Sequence, residues 1–340
     1  GALAMDRYSR QTRFAPIGPV GQEKLGRSAV LIVGMGALGT VLANHMARAG
    51  VGLIRLVDRD YVEWSNLQRQ MLFDEDDARA GLPKAVAAER KLMRINSEVR
   101  YEAIVADVTA ANAAELVRGV DAVLDGTDNF RTRLLLNDIC FRSGIPYVYG
   151  GAVGAQGMTA AFVPGETSCL RCLFGSEPDG GATCETVGVI SPVVDIVASY
   201  QAAEALKILV GDAASRRRSL LTFEIWKNQW YDVRLAPPRP DCPACGENPT
   251  YPALSAGDEE ATTLCGRETV QVRAGRPFAL DAMAGRLAAA GARVETNPYL
   301  LRATLPEGER LVLFPDGRAL VQGTTDLSRA KTLFDRHVGG

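Results

Sequence analysis

The sequence predicts an α/β protein: a doubly wound parallel sheet, continued by antiparallel strands and followed by a small C-terminal α+β domain. Three observations predict this fold. Up to Gly150, short β-branched runs alternate with helix-like stretches, as in parallel sheets whose strands are joined by helices. Beyond Gly150 the candidate strands follow one another more directly. A polar stretch, Gly246–Thr263, then precedes further short strands and two helices, and we interpret it as a linker.

The parallel part contains five candidate strands and two clear helices. One helix, Gly36–Ala49, lies between the first two strands and ends near Gly50. The other, Lys84–Ile95, begins after Pro83, because proline suits the first turn of a helix. The candidate strands are Ala29–Val33, Leu53–Asp58, Tyr101–Ile104, Ala122–Asp125 and Tyr147–Tyr149.

The antiparallel part is built around one long apolar helix, Pro192–Val210. Ser191 suits its start and Gly211 its end. The candidate strands around this helix are Met158–Val163, Leu220–Glu224 and Trp230–Leu235. We therefore expect a first domain at residues 6–250 and a second at residues 264–340, to which the sequence assigns no role.

Length and charge narrow the class of protein. A chain of 340 residues predicts about two domains. The net charge of −2 gives no reason to expect nucleic acid as a partner. No apolar run reaches the roughly 18 residues that a membrane span needs, and the N-terminus has no secretory signal. We expect a cytoplasmic protein, whose seven cysteines serve metal binding or reactivity rather than disulfides.

A glycine-rich loop follows the first predicted strand. Gly34, Gly36 and Gly39 allow a tight turn and a close approach of the backbone to phosphate. The helix that follows offers free N–H groups at its N-terminus. Asp58, at the end of the next strand, is placed to accept hydrogen bonds from ribose hydroxyls. This Rossmann-like arrangement predicts a nucleotide site, but it fits NAD as well as ATP.

Charged and amide side chains follow the ends of neighbouring strands, where a parallel sheet borders its ligand crevice. These side chains are Asn66, Arg69, Gln70, Lys84, Asp128 and Asn129. Hydride transfer needs no such cluster, whereas the release of pyrophosphate does, because negative charge builds on the leaving group. Asp128 offers the hard oxygen that Mg²⁺ prefers. The cluster therefore favours ATP chemistry.

The cysteines form two pairs with the same spacing. Cys169 and Cys172 make one Cys-x-x-Cys motif, and Cys242 and Cys245 make the other. Four thiolates suit a tetrahedral structural Zn²⁺ and leave no open position for catalysis. Cys184 lies between the pairs in a glycine-rich stretch and is the candidate reactive thiol.

Together these motifs resemble the ThiF/MoeB/HesA family, bacterial relatives of the ubiquitin-activating enzymes. The resemblance extends from Arg7-Tyr-Ser-Arg10-Gln11 to the second cysteine pair, roughly residues 6–250. It implies an adenylyltransferase that uses ATP and Mg²⁺. The implied substrate is the C-terminal glycine carboxylate of a ubiquitin-like sulfur-carrier protein of the ThiS or MoaD type. Adenylation releases pyrophosphate and prepares the carrier for thiocarboxylate formation.

The resemblance also implies roles for individual residues. The three loop glycines hold the nucleotide and Asp58 the ribose, and Asp128 holds magnesium and is needed most for adenylation. Arg10 is expected to reach the phosphates of the neighbouring subunit, which predicts a homodimer. Cys184 matches a cysteine thought to capture the activated carrier. Asn66, Arg69 and Lys84 are expected to contact the triphosphate, and Gln70 and Arg133 match family positions.

Other functions stay open at this point. Adenylation of a different carboxylate, on a peptide or a tRNA-linked group, would use the same site. A NAD-dependent oxidoreductase would explain the glycine loop but not the charged cluster. No rhodanese module is recognisable, so we expect a separate sulfur donor, either a cysteine desulfurase or a rhodanese. The sequence does not choose between thiamine and molybdopterin biosynthesis.

Overall fold

The structure is a computed structural model that describes residues 7–175, 187–255, 261–263 and 268–339. The chain divides into two compact units. The first comprises Gly1–Arg79 and Lys84–Ala256, and the second comprises Ala80–Pro83 and Gly257–Gly340.

The first unit is built on one eight-stranded sheet, in the order β3-β2-β1-β4-β5-β6-β7-β8. Pairing is parallel from β3 to β5 and antiparallel from β5 to β8. The prediction of a doubly wound sheet continued by antiparallel strands is therefore confirmed. Its strands are β1 Ala29–Val33, β2 Leu53–Asp58, β3 Arg100–Val105, β4 Ala122–Asp125, β5 Tyr147–Val153, β6 Gln156–Phe162, β7 Ser219–Glu224 and β8 Gln229–Arg234.

Helices cover this sheet, and the longest of them, α9, packs against α2, α3 and strands β4 to β6. None of the helices in the described ranges is long and apolar enough to cross a membrane. The helices that lie wholly within the described residues before 256 are α1 Ser9–Thr12, α2 Gly18–Arg27, α3 Ala37–Ala49, α4 Glu75–Ala80, α5 Lys84–Ile95, α6 Ala113–Leu116, α7 Phe130–Ser143, α8 Leu170–Phe174, α9 Ser191–Val210 and α10 Pro252–Ser255.

The strand order reverses between β1 and β4. Strands β2 and β3 lie on one side of β1, and β4 and β5 lie on the other. The loops that follow β1 and β4 therefore leave the sheet in opposite directions and open a crevice at its carboxyl edge, which is where open α/β sheets bind ligands. Every residue of β1 and β4 is buried, so their ends are rigid supports for that crevice.

The stretch Gly246–Thr263 is not the continuous linker that its polar composition predicted. It contains helix α10, which packs on α7, and strand β9 at Ala261–Thr263, which pairs with β10. Leu254 of α10 packs against the core of the first unit. The few apolar residues of this stretch are too widely spaced to show a period, which is why the sequence analysis missed both elements.

The second unit has a six-stranded antiparallel sheet, in the order β11-β12-β13-β14-β10-β9, and two helices. Its core contains Val272, Leu287, Leu313 and Leu333, all at most 2% exposed. The predicted small α+β architecture is thus present. Its elements are β9 Ala261–Thr263, β10 Thr269–Arg273, α11 Leu280–Ala289, β11 Arg293–Asn297, β12 Leu300–Thr304, β13 Arg310–Leu313, β14 Arg318–Gln322 and α12 Leu327–His337.

Candidate active site

The glycine loop after β1 is packed directly against other backbone. A Cβ atom on Gly39 would lie 1.6 Å from the carbonyl oxygen of Gly34, and one on Gly34 would lie 2.5 Å from the oxygen of Gly126. Gly34 also has a φ of +90°, which favours glycine. Helix α3 then begins without a side-chain cap, so its first N–H groups are available to phosphate oxygens.

Asp58 ends β2 beside this loop. Its Oδ2 accepts a hydrogen bond from the N–H of Met35 at 2.6 Å, and its Oδ1 accepts one from the N–H of Asp60 at 2.6 Å. Burial raises the pKa of Asp58, while the positive charge of Lys84 and the two backbone N–H groups oppose that rise. The carboxylate is therefore fixed beside the glycine loop, as expected for a group that meets the ribose.

Lys84 begins helix α5 and is only 3% exposed. Its backbone N–H donates to the carbonyl oxygen of Asp60 at 2.9 Å, which anchors the start of the helix to the chain that follows β2. Its ammonium group acts electrostatically on Asp58. A buried lysine is costly unless a negative partner is near, so this cation belongs to the site rather than to the surface.

A short 3₁₀ turn, Trp64–Asn66, brings the amide residues to the loop. Asn66 is buried, and its Oδ1 accepts from the N–H of Glu63 at 2.8 Å, so part of its task is to form the turn. Gln70 is 3% exposed, with its Nε2 3.5 Å from where a Cβ on Gly36 would lie. The Oε1 of Gln70 has no hydrogen-bond partner among the described residues.

Arg69 lies on the solvent side of the same turn. It is half-buried, and its Nη1 donates to the carbonyl oxygen of Ser65 at 3.2 Å. The guanidinium also donates to the side chain of Gln68, so both of its hydrogen bonds are to residues close to it in the sequence. Arg69 thus lies in the same segment as Asn66, and its guanidinium is partly open to solvent.

Asp128 and Asn129 follow β4 on the other side of the loop. The backbone nitrogen of Thr127 lies 3.2 Å from the position of a Cβ on Gly34, so the turn that carries Asp128 abuts the glycine loop. Asp128 is exposed. Asn129 accepts from the N–H of Thr132 at 2.9 Å and caps helix α7. Asn129 therefore has a structural task, the capping of α7.

Two residues that position this turn were missed by the sequence analysis: Asp125 and Gly126. Asp125 is fully buried and accepts from the N–H of Thr127 at 2.8 Å, from the Thr127 hydroxyl at 2.6 Å and from the hydroxyl of Tyr147. Arg133 donates to the carbonyl oxygen of Thr127 at 2.9 Å. Burial raises the pKa of Asp125, and the charge of Arg133 opposes that rise.

The signal for Gly126 was in the sequence, because it directly follows a strand that ends at the crevice. A Cβ on Gly126 would lie 2.8 Å from the Cα atom of Gly39. The glycine loop and the turn after β4 therefore pack against each other through backbone atoms, with a glycine on each side. The signal for Asp125 was weaker, since an aspartate at a strand end is usually exposed.

Arg10 is not brought to this cluster within its own chain. Its neighbour Gln11 donates to the carbonyl oxygen of Ala49 at 2.9 Å, at the C-terminal end of α3. The glycine loop precedes the other end of this 13-residue helix, about 20 Å away. Arg10 itself is exposed, and its Nη1 lies 3.0 Å from the hydroxyl of Ser9.

The four paired cysteines converge on one point. Their sulfur atoms all lie within 4.8 Å of one another, with Cys169 and Cys242 at 3.6 Å and Cys172 and Cys245 at 3.4 Å. Four sulfurs around a Zn²⁺ ion would be roughly 3.8 Å apart. The hydrogen bond between Cys169 and Cys245 lowers the pKa of Cys169 to about 5 and raises the pKa of Cys245, because the two sulfurs share a proton. The donor set fits tetrahedral zinc.

The cysteine cluster is separate from the nucleotide crevice. Asn137 and Asp138 of α7 bind the first cysteine segment, about 12 Å along the helix from its start at Phe130. Cys140 is fully buried in the hydrophobic core, where burial raises the pKa of its thiol. Cys184, the candidate reactive thiol, lies outside the described residues.

The fold, the glycine loop and the charged residues around that loop are those of a nucleotide-binding α/β enzyme, with charges placed for phosphate chemistry. The model of the ThiF family matches residues 8–244, and the chain belongs to this family. It is 49% identical over 337 residues, 98% of this chain and 99% of the relative, to a "Sulfur carrier protein ThiS adenylyltransferase" of Bacillus subtilis (strain 168).

A second relative comes from Thermus thermophilus and is named "Sulfur carrier protein adenylyltransferase". It is 39% identical over 257 residues, 74% of this chain and 94% of the relative. The crystal structure of E. coli MccB with ATP superposes with a TM-score of 0.61 at 26% identity, over 71% of this chain and 75% of that one. These findings confirm the predicted family, the predicted fold and the prediction of an adenylyltransferase.

Proposed function

We propose that this chain adenylates the C-terminal carboxylate of a ubiquitin-like sulfur-carrier protein. A carboxylate oxygen attacks the α-phosphorus of ATP, and the bond from that phosphorus to the oxygen bridging to the β-phosphate breaks. Pyrophosphate leaves, and the carrier becomes an acyl-adenylate. The observation that carries the proposal is the buried Lys84, whose backbone N–H binds Asp60 and whose charge acts on Asp58, the carboxylate that is hydrogen-bonded to Met35 of the glycine loop. A cation held there can meet the charge that builds on pyrophosphate.

The remaining roles follow from position. The backbone of Gly34, Gly36 and Gly39 cradles phosphate, and Asp58 accepts from ribose hydroxyls. The buried amide of Gln70 borders the loop, Asn66 and Arg69 lie in the segment just before Gln70, and Asn129 lies at the start of α7. We assign the triphosphate to Asn66, Arg69, Gln70, Lys84 and Asn129.

Asp128 is the proposed ligand for Mg²⁺. A magnesium site that uses one carboxylate together with substrate phosphates is common, and Asp128 stands exposed at the turn next to the glycine loop. The ion would neutralise charge on the phosphates. What the protein itself supplies is a fixed turn, held by the hydrogen bonds of Asp125 and Arg133 to Thr127.

Two comparisons support a sulfur carrier as the substrate. Both relatives described above act on sulfur-carrier proteins by name, and the Bacillus relative spans this chain almost from end to end. Thiocarboxylate formation then needs a sulfur donor, for which we propose a separate cysteine desulfurase or rhodanese. The proposed location is the cytoplasm, where clustered thiols stay reduced.

ATP–pyrophosphate exchange tests the central proposal. Exchange should depend on a carrier protein that ends in Gly-Gly and on Mg²⁺. Replacing Asp128 by alanine should lower exchange by about 100-fold or more, because a transition-state charge ligand is lost, while the unfolding midpoint of the protein barely changes, since this position is exposed. Exchange that needs no carrier, or that survives Asp128→Ala, would contradict the proposal.

Arg10 is the proposed contribution of a second subunit. Because Arg10 is about 20 Å from the loop of its own chain, we infer a homodimer in which each Arg10 serves the partner's phosphates. Arg10→Ala and Asp128→Ala should each be inactive alone. Mixed dimers of the two variants hold one site with neither change, so activity should return on mixing. Activity that stays absent in verified mixed dimers would exclude the shared site.

Cys184 is the proposed acceptor of the activated carrier. Its thiolate would form a thioester, and a Cys184 persulfide, loaded by the proposed sulfur donor, would form an acyl disulfide. A thiolate attacking the mixed anhydride would expel AMP, a reaction that the activated carboxyl makes favourable. Cys184→Ala should therefore leave ATP–pyrophosphate exchange unchanged and lower thiocarboxylate formation. A Cys184→Ala enzyme with full thiocarboxylate formation would remove this cysteine from the mechanism.

We assign the Cys169, Cys172, Cys242 and Cys245 cluster to a structural Zn²⁺ ion. The ion would bind the four thiolates and hold together the two cysteine segments, which are separated by the 69 residues between Cys172 and Cys242. With four protein ligands it keeps no open position, and the cluster lies away from the crevice. Its proposed role is thus to stabilise the first unit.

A further inference from the structure

One fully buried carboxylate joins both cysteine segments to helix α7. Asp138 is 0% exposed, and its two oxygens face the guanidinium of Arg171: Nε donates to Oδ1 at 2.8 Å and Nη2 to Oδ2 at 2.8 Å. The same Oδ2 accepts from the backbone N–H of Ala253 at 2.9 Å. Three N–H groups from two distant segments thus converge on one side chain.

The two segments are the ones that carry the metal ligands. Arg171 stands between Cys169 and Cys172 in the first Cys-x-x-Cys motif. Ala253 belongs to α10, which follows the second motif and packs on α7. Between that motif and α10, the N–H groups of Thr250 and Tyr251 both donate to the carbonyl oxygen of Pro243, at 2.9 Å, so the chain is folded back on the second motif.

Asn137 repeats the arrangement one residue earlier. Its Oδ1 accepts from the N–H of Leu170 at 2.9 Å, directly after Cys169. Two adjacent buried residues of α7, Asn137 and Asp138, therefore hold the first cysteine segment by both its backbone and its side chain.

A buried ion pair adds little stability compared with well-packed apolar residues, because both charges lose their hydration. What a bidentate arginine–carboxylate pair does supply is direction, since both N–H bonds fix the plane of the guanidinium. Here that plane is fixed in the middle of a ligand motif, because Arg171 stands between Cys169 and Cys172 in the sequence. Residues of this kind around a metal commonly change its affinity by about 10–100-fold.

We propose that Asp138 is a positioning residue for the cysteine cluster: it aligns both ligand segments on α7 so that four sulfurs meet in metal-binding geometry. Asp138 acts through Arg171 and Ala253 and is not itself one of the four metal ligands. The inference rests on the proposed zinc centre, and the experiment below separates the two.

The test is the rate at which the zinc-loaded, full-length protein loses metal to an excess of a chromogenic chelator. Asp138→Asn keeps the shape of the side chain but replaces one acceptor oxygen with an NH₂ group, which repels Arg171. We expect zinc release at least about tenfold faster than in the wild type. Asp121→Asn is the control for an Asp-to-Asn change outside the cluster: Asp121 is exposed and also accepts one backbone N–H, that of Ala29 at 2.8 Å, at the start of β1.

A second measurement distinguishes alignment of the ligands from general loss of stability. In the cobalt-substituted protein, the visible absorption bands report the tetrahedral arrangement of the sulfurs. Asp138→Asn should shift or weaken these bands at saturating Co²⁺, while Asp121→Asn leaves them unchanged. Because Asp138 acts partly through Arg171, the effects of Asp138→Asn and Arg171→Met on the rate of zinc release should not be independent. The double variant should raise that rate by less than the product of the two single fold-changes.

The outcomes are decisive in each direction. Wild-type release rates and unchanged cobalt bands in Asp138→Asn would overturn the positioning role. If Asp138→Asn does not fold, Arg171→Lys provides the same two readouts, since lysine keeps the charge but cannot pair with both oxygens. A wild-type protein that binds neither zinc nor cobalt would overturn this inference and the zinc centre, while carrier-dependent exchange would still judge the proposed function separately.

Discussion

The nucleotide crevice and the cysteine cluster lie along the same helix, α7, and they are built in opposite ways. At the start of the helix the site is mostly backbone: Gly34, Gly39 and Gly126 touch so closely that no side chain fits. Eight residues further on, at Asp138, the cluster is made of side chains gathered from two distant segments. Substitutions that add atoms should therefore disrupt the glycine site, whereas substitutions that remove a side-chain group should disrupt the cysteine cluster.

The largest effect is expected from Gly39→Ala. The new Cβ would lie 1.6 Å from the oxygen of Gly34, so the loop must move. Such a clash belongs to the mutations that lower the unfolding free energy by more than about 4 kcal/mol. Because the displaced loop no longer approaches phosphate closely, we expect ATP affinity to fall by about 100-fold or more, or about 2.7 kcal/mol of binding free energy. Isothermal titration measures this. Gly26→Ala is the control, because a Cβ there meets nothing within 4 Å; equal binding by both variants would contradict the packing argument.

Cys242→Ser should have a smaller effect and a different one. Losing one of four thiolates should abolish stable metal binding and lower the unfolding free energy by about 3 kcal/mol. For a unit of this size that is a fall of about 6–12 °C in the midpoint, measured by calorimetry. ATP affinity should change less than threefold, because the cluster is about 12 Å along α7 from the crevice.

Cys140→Ala is the matched control for this prediction. Cys140 is equally buried and also lies in the first unit, but it is not part of the four-sulfur cluster. Its replacement should cost stability while the protein keeps its metal, as measured by atomic absorption. A metal-free Cys140→Ala protein, or a metal-loaded Cys242→Ser protein, would show that the cluster has been assigned to the wrong thiols.

The smallest effect concerns pH. Burial raises the pKa of Asp58, so this carboxylate takes up its proton at a higher pH than an ordinary aspartate. As the pH falls through this raised pKa, ATP affinity should weaken by up to about tenfold, because the ribose loses an ionised acceptor. The effect of Asp58 on the stability of the fold has the opposite dependence on pH. The folded state holds this proton more tightly, so Asp58 destabilises the fold as the pH rises through its raised pKa.

Asp58→Asn serves as the reference for both trends. The amide does not titrate, so the difference between the wild type and Asp58→Asn isolates Asp58 from the titration of ATP itself. Affinity should differ most near neutral pH and converge on acidification. Parallel pH profiles for the two proteins would show that Asp58 stays ionised throughout and that its burial is less important than its hydrogen bonds from Met35 and Asp60.

The same contrast explains what the sequence could predict. The glycine loop and Asp58 are close in the sequence, within one strand–helix–strand unit, so their spacing alone indicates their geometry. The Cys-x-x-Cys spacing indicates a metal site for a similar reason. Asp125 and Asp138 have no such local signal, because the groups that make them functional, Tyr147 for one and Arg171 for the other, come from elsewhere in the chain.

By itself, then, the sequence determined the family and the parallel half of the sheet, and it indicated the residues proposed for both sites, because periodicity and short-range spacing encode them. Only the tertiary structure decided that Gly126 closes against Gly39, that Arg10 stands about 20 Å from its own loop, and that one carboxylate aligns both cysteine segments. Those facts depend on contacts between residues far apart in the chain, which packing sets and no local pattern records.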